Sequence, residues 1–214
     1  MLENGYGYIC IPANNPTHPG ESRAIAMQIQ DSLMKLHPVK LKGIIVDLRL
    51  NTGGSLWPMG LGLGNLFSGN TLGVFVFPKA SMNESWSIKD TVFYTNTNKE
   101  GSIRSVGKVN PKIKIAVLTS PYTASSGEAL AISFKGQKNA RVIGDTSAGY
   151  TTANDGFTFY GVQFLMANAV EADRTGHVYY DNVSPYLEVI AGDNFNDFTK
   201  DAKITAALKW MKSK

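Results

Sequence analysis

The sequence has one cysteine, Cys10, in 214 residues. No disulfide can close within the chain, and no cysteine cluster can hold a metal. The redox compartment stays open, because secreted chains also do without disulfides. The longest apolar stretches, residues 43–46 and 56–67, fall well short of the roughly 20 residues a membrane-crossing helix needs, which excludes a span of that kind. Runs of like charge are missing too. Twenty-one Lys and Arg stand against 17 Asp and Glu, a formal net charge of +4 spread along the chain, so no nucleic-acid partner is implied. No charged-then-apolar leader precedes the strand-like residues 6–11. No group of His, Cys, Asp or Glu has zinc or calcium spacing, and no cofactor is expected.

What remains is an ordinary globular balance, 43% hydrophobic and 18% charged, at a length of about one to one and a half domains. Periodicity gives a strand at 6–11, then a helix opening near Pro19-Gly20 and stopped by His37-Pro38. Ile25, Ile29, Leu33 and Leu36 form its inward stripe. Residues 43–48 are apolar without alternation, as in a central strand covered on both faces. Residues 56–67 read as helical, 72–77 as a strand, and 79–110 as a polar excursion from the core carrying a hairpin at 86–94. A second central strand spans 114–118, a helix 124–135 and a short strand 141–144. A Gly/Thr-rich loop at 144–156 precedes a β-like stretch at 157–172, broken at Gly161, and a last helix covers 198–211. The expectation is one α/β domain over residues 1–214 with an inserted hairpin.

Two strand-to-helix turns draw attention, because in open α/β sheets ligands bind where strands end. In Asn51-Thr52-Gly53-Gly54, paired glycines permit positive φ and uncover N–H groups that can face an anion or a developing oxyanion. The bland alternative is a structural turn. In Thr123-Ala124-Ser125-Ser126-Gly127-Glu128, small residues sit at a helix N-terminus, where the dipole favours negative charge. A serine there can be a nucleophile, or Ser125 and Glu128 can simply form a capping box.

Three blocks of residues, in order, resemble the tail-specific, or C-terminal processing, serine protease family, to which the tricorn core protease and interphotoreceptor retinoid-binding protein are related. Residues 6–12 resemble its Gly-Tyr-Ile strand. Residues 43–54 are similar to its Ile-Val-Asp-Leu-Arg block with paired glycines. Residues 115–128, with 141–146 and Gly149, resemble its Thr-Ala-Ser-x-x-Glu turn and the segment that closes it. The resemblance implies a Clp protease/crotonase-like core, a mostly parallel twisted sheet flanked by helices. It also implies a serine endopeptidase acting on polypeptide substrates outside the cytoplasm. Carried over residue by residue, it makes Ser125 the nucleophile and the amides of Gly54 and Ser126, with Gly53 as neighbour, the oxyanion hole. Asp47 and Arg49 read as structural, ordering the glycine turn.

The departures concern the base that a serine at its free pKa requires. Where one branch of the family has lysine and glutamine, this chain has Tyr150 and Asn154. The other branch takes its histidine from an upstream segment, and a glutamate position there is occupied by Tyr179. Of the three histidines, His18 and His37 read as surface residues. That leaves His177, with Tyr150 and Asn154, as candidates for a base or for lining the site. The family's helical and PDZ region would precede residue 6, so the expectation is a catalytic core whose base lies upstream. The rival is a non-catalytic module that holds a peptide or an apolar ligand on the same fold. An acyl-CoA enzyme of the crotonase type stands behind both, since no acidic pair suits hydratase chemistry. Cys10, inside an apolar strand, is expected in the core, and Gly60-Leu61-Gly62-Leu63-Gly64 is expected to allow close helix packing.

Overall fold

The computed structural model describes residue 2, residues 5–104 and residues 107–213. In chain order the first elements are β1 (Tyr6–Cys10), α1 (Glu21–Lys35), β2 (Gly43–Asp47), α2 (Leu56–Gly62), β3 (Thr71–Val76), β4 (Glu84–Lys89), β5 (Val92–Thr95) and β6 (Asn98–Ser102). They continue with β7 (Lys114–Thr119), α3 (Ser126–Phe134), β8 (Ala140–Gly144), β9 (Thr152–Phe159), β10 (Val162–Asp173), β11 (Val178–Tyr179), β12 (Leu187–Glu188) and α4 (Ala202–Lys212). None of these helices is long and apolar enough to cross a membrane.

Strands β1, β2, β7, β8 and β12 lie side by side in that order, and every pairing is parallel. The unbroken apolar run of β2 has a direct cause. All five of its residues are buried, because alternate side chains enter two different cores. Ile44 and Val46 pack with α1, α2 and α3 residues such as Leu33, Leu61 and Leu130. Ile45 packs with Ile204, Ala207 and Met211 of α4 on the other face. Gly62 provides the close helix packing expected of its glycine string, since a Cβ there would lie 2.6 Å from Cβ of Ile29.

A second, antiparallel sheet runs β11-β10-β3-β4-β5-β6, with β9 on β10. The polar stretch 79–110 therefore contributes three strands that continue β3, more than the single hairpin its composition suggests. Nor is it an excursion. Trp86 and Phe93 are buried in the main core, and the Trp86 indole donates to Ser133 Oγ at 3.0 Å. Its polar appearance comes from the outward alternate positions of a strand with one covered face. Cys10 departs from expectation in the other direction. It ends the outermost parallel strand and is exposed, because β1 has a neighbour on one side only.

The end of β2 is fixed from the C-terminus of the chain. Arg49 is fully buried. It donates Nε and Nη2 to Asp47, the latter at 2.7 Å, and Nη1 to Asp193 and Asp201, each at 2.6 Å. Asp201 also caps α4 by accepting the Ile204 N–H at 2.9 Å. Tyr8 donates to Asp47, and Lys203 donates to Asp193. A buried guanidinium so surrounded is tolerated because each of its directions meets an anionic acceptor.

Removing that cation would leave three carboxylates facing one another. Arg49→Ala is expected to cost about 3–5 kcal/mol, read by urea unfolding. Burial works against ionisation of Asp193, but hydrogen bonds from Lys203 and Arg49 outweigh it and hold the carboxyl below its ordinary range. A folded pKa below the unfolded one gives stability that is complete above about pH 4 and is lost as pH falls through the folded value. The unfolding midpoint should therefore fall in acid, and fall less steeply in Arg49→Ala.

Candidate active site

The ends of β2 and β7, adjacent strands of the parallel sheet, carry the two turns singled out above, and Asn51 makes them one unit. Its Nδ2 donates to the Ile11 carbonyl at 3.0 Å, and its Oδ1 accepts the Gly53 N–H at 3.0 Å. Its own carbonyl accepts the Ala124 N–H at 3.0 Å. Thr123 Oγ1 donates to the Leu48 carbonyl at 2.9 Å, closing the seam from the other side.

Gly53 and Gly54 both have φ of 109°, a conformation that side chains rarely adopt, and both have crowded neighbours. A Cβ on Gly53 would lie 3.0 Å from Cβ of Ser125, and one on Gly54 would lie 1.5 Å from the Asn14 carbonyl oxygen. Asn14 forms an isolated bridge with Gly54. Its side chain donates to the Ser55 carbonyl at 3.1 Å and accepts the Ser55 N–H at 3.3 Å. Sequence reasoning missed this residue. Its only signal is an amide side chain in the loop directly after the first strand.

Ser125 has φ 52° and ψ −123°, a sparsely populated region that costs a non-glycine residue about 1–3 kcal/mol. Glu128, fully buried one turn into α3, holds it there by accepting the Ser125 N–H at 2.7 Å. The same carboxylate accepts Ser147 Oγ at 2.5 Å, the Gly149 N–H at 2.9 Å and the Tyr150 N–H at 2.8 Å. The capping-box arrangement is present, with the Ser125 side chain facing the Glu128 N–H without closing a full hydrogen bond to it. That N–H goes to the Ser125 carbonyl at 2.7 Å. Beside Glu128 lies Glu171, also buried, with Oε2 unpartnered among the described residues. Burial first, and the Glu128 charge second, push its carboxyl well above the ordinary range.

Two amides of the turns beside Ser125 carry no hydrogen bond among the described residues, those of Gly54 and Ser126. Ser126 is the first residue of α3, where no intrahelical acceptor exists. The peptide plane that carries the Gly54 N–H is oriented by the Gly53 carbonyl, which accepts the Asn14 N–H at 3.2 Å, and the Gly54 carbonyl in turn accepts from Ser126 Oγ at 2.6 Å. Gly53 differs, because its amide is committed to Asn51; its part is to let the turn approach Ser125. The serine opens on a cavity of about 390 Å³ lined by Thr52, Tyr122, Tyr150 and Asn154 among others. A larger cavity, about 500 Å³, lies between β1 and α1 and does not contain Ser125.

The structure therefore brings Gly53, Gly54, Ser125, Ser126, Tyr150 and Asn154 together and leaves His177 apart. His177 is exposed in the turn after β10. That turn is anchored to the C-terminal end of α3 by Arg174, which donates to the Ser133 carbonyl at 2.6 Å. Ser125 stands at the other end of this nine-residue helix, about 13 Å along its axis. The His177 ring instead packs edge-on against Tyr179 at 4.8 Å. His18 and His37 are exposed as expected.

Comparison with known proteins follows the same residues. The model of peptidase family S41 matches residues 5–178. The nisin-resistance protein of Lactococcus lactis subsp. lactis is 37% identical over 183 residues, which are 83% of this chain and 52% of that protein. The chain thus spans about half the length of the curated relative it matches. A lipoprotein from Streptococcus agalactiae superposes with a TM-score of 0.72 at 25% identity, over 99% of this chain and 68% of that one. The photosystem II D1 C-terminal processing protease shares the fold, with a TM-score of 0.61 at 17% identity over 89% of this chain and 45% of that one.

Removing the Glu128 carboxylate strands four donors at once. Glu128→Ala is expected to destabilise the chain by about 3 kcal/mol or more, with amide exchange at residues 147–150 rising together with that at Ser125. Glu171 has the opposite pH signature to Asp193. Its folded pKa lies above the unfolded one, so the folded chain binds more protons between the two values and loses stability as pH rises through them. Glu171→Gln should leave stability below about pH 4 unchanged and raise it at neutral pH, read by urea unfolding at both.

Proposed function

The chain belongs to peptidase family S41, and from that premise we propose that it is the catalytic core of a serine endopeptidase in which Ser125 is the nucleophile. The observation that carries this reading is the pair of uncommitted amides, Gly54 and Ser126, flanking a serine held in a strained conformation. Ser125 Oγ attacks the carbonyl carbon of a peptide bond and gives its proton to a general base. The carbonyl oxygen takes the negative charge and rests on the two N–H groups. The C–N bond then breaks, the leaving amine takes the proton, and water repeats the sequence on the acyl-enzyme. Preorganised donors suit this role, since neither amide must break a protein hydrogen bond to meet the oxyanion.

The base is proposed to come from outside residues 1–214, in line with the chain spanning 52% of its curated relative. The side chains of the Ser125 cavity include no imidazole or ammonium among the described residues, and Tyr150 and Asn154 are read as lining for the substrate. A working place outside the cytoplasm is supported by likeness to a lipoprotein. The composition of the cavity also favours one rival, a binding module that keeps the turns without chemistry.

Fluorophosphonate labelling with mass spectrometry separates these. The expected result is a slow adduct confined to Ser125, lost in Ser125→Ala, and accelerated at least about 100-fold in a longer parent protein that restores the base. Rapid labelling of residues 1–214 alone would return the base to this chain, with Tyr150 first. No adduct in either form would establish the binding module.

A further inference from the structure

Glu128 is not the only acid in the dry volume behind Ser125. Register places Glu171 of β10 opposite Phe75 of β3 and Tyr179 of β11, so the three side chains share one face of the antiparallel sheet. Trp86 shows that this face packs on α3. Its ring lies 4.5 Å from that of Phe75, and its indole donates to Ser133 of the helix. Two consecutive residues tie the acids together. The Tyr150 N–H donates to Glu128 at 2.8 Å, and the Thr151 carbonyl accepts the Glu171 N–H at 3.0 Å.

The hydrogen bonds distinguish the two carboxyls. Glu128 meets donors only. Its Oε2 accepts the Ser125 and Tyr150 N–H groups, and its Oε1 accepts the Gly149 N–H and Ser147 Oγ, a hydroxyl that itself accepts the Val183 N–H. Such a set favours the ionised form. Glu171 Oε2 meets no partner among the described residues, which favours the neutral acid. The basic residues that follow α3 and β10 are engaged elsewhere, Lys135 with the Ser184 carbonyl and Arg174 with the Ser133 carbonyl, each at 2.6 Å. Asp173, two residues on along the same face, accepts from Thr175, His177 and the Tyr179 hydroxyl, and it adds a negative charge rather than a positive one. Neither β3 nor the rest of α3 brings another charged side chain. Burial first and the Glu128 charge second act on Glu171 in the same direction.

We propose that Glu171 is a positioning residue for Ser125 and that its proton is the latch of the site. While the proton is held, both acids share the dry volume, and Glu128 keeps the serine and the wall at residues 147–150 in place. When it leaves, two anions compete for one set of donors and the wall moves out to admit water. The Ser125 N–H then loses the acceptor that holds the residue at φ 52°, and the strained conformation relaxes. The site is thus assembled below the Glu171 titration and disassembled above it. The latch stands on the buried pair alone, and its consequence for acyl transfer rests on the peptidase reading.

Amide exchange of the full chain from about pH 5 to about pH 10, normalised to the unfolded-chain rate at each pH, tests the latch. The comparison is with Glu171→Gln, which keeps the shape of the side chain without its charge. The expected result in the natural chain is exchange at Ser125, Gly149 and Tyr150 that rises about tenfold or more through one titration. In Glu171→Gln it stays flat, and residues 44–46 of β2 stay protected in both. Fluorophosphonate labelling of Ser125, slow as it is, should fall in step with the rise in the natural chain and not in the variant. Flat exchange in the natural chain, the same rise in Glu171→Gln, or a loss of protection that includes residues 44–46 would overturn the proposal. So would a labelling rate that ignores the switch. The expected switch with no adduct at any pH would support the latch and count against the peptidase reading alone.

Discussion

The geometry around Ser125 depends on one carboxylate. Glu128 accepts four hydrogen bonds, one from the serine's own backbone and three from residues 147–150. A buried carboxylate is stable only where donors replace its water, and here the donors are the wall of the site. The consequence runs both ways. The loop after β8 supplies the solvation Glu128 needs, and Glu128 fixes where that loop, Tyr150 and the root of β9 must lie. Burial first and the Glu128 charge second push the neighbouring Glu171 carboxyl well above its ordinary range, because a second negative charge in the same dry volume is disfavoured.

Beneath that carboxylate, the site is assembled by sheet topology. β2 and β7 are parallel neighbours, so their C-terminal ends, and the turns that follow, emerge at one edge of the sheet. The Asn51 carbonyl then accepts the Ala124 N–H and Thr123 Oγ1 donates to the Leu48 carbonyl, joining the two turns, while Asn14 brings the end of β1 to Gly54. Arg49 plays a different part. Among the described residues it makes no hydrogen bond to the cavity lining, but it ties the start of the glycine turn to Asp193 and to the cap of α4. The C-terminal segment thereby braces the turn from the face opposite the serine.

Much of this was legible in the sequence, for reasons that can be located. The run at residues 43–48 announced a strand covered on both faces because its apolar residues do not alternate with polar ones, and the Ser125–Glu128 spacing marked a helix start whichever role the serine has. What escaped was encoded in contacts distant along the chain. Residues 79–110 look polar because only alternate positions face the core, so Trp86 gave no sign that it is central. Cys10 obeys strand alternation, but its exposure depends on β1 being outermost, which no local pattern reveals. Asn14 acts on Ser55, 41 residues away, and the Glu128 donors lie 19 to 22 residues downstream.

The contest between cap and nucleophile at Ser125 turns on backbone conformation. A serine whose task is to start a helix sits in the β region, where its hydroxyl reaches the N–H groups of the first turn. Asp201, at the start of α4, does this with φ −82° and ψ 117°, and its carboxylate accepts the Ile204 N–H. Ser125 stands at φ 52° and ψ −123° within its capping box to Glu128, at a conformational cost that capping does not require. Strain of this kind persists only where surrounding contacts over-determine it, and here they do, through Glu128 on one side and the close glycine turn on the other. The same pair of constraints sets Ser125 beside the Ser126 amide and the glycine turn whose Gly54 amide is unbonded among the described residues. A capping role would account for the Glu128 contact alone, whereas the proposed nucleophile would account for the contact, the strain, the glycines and the unbonded amides together.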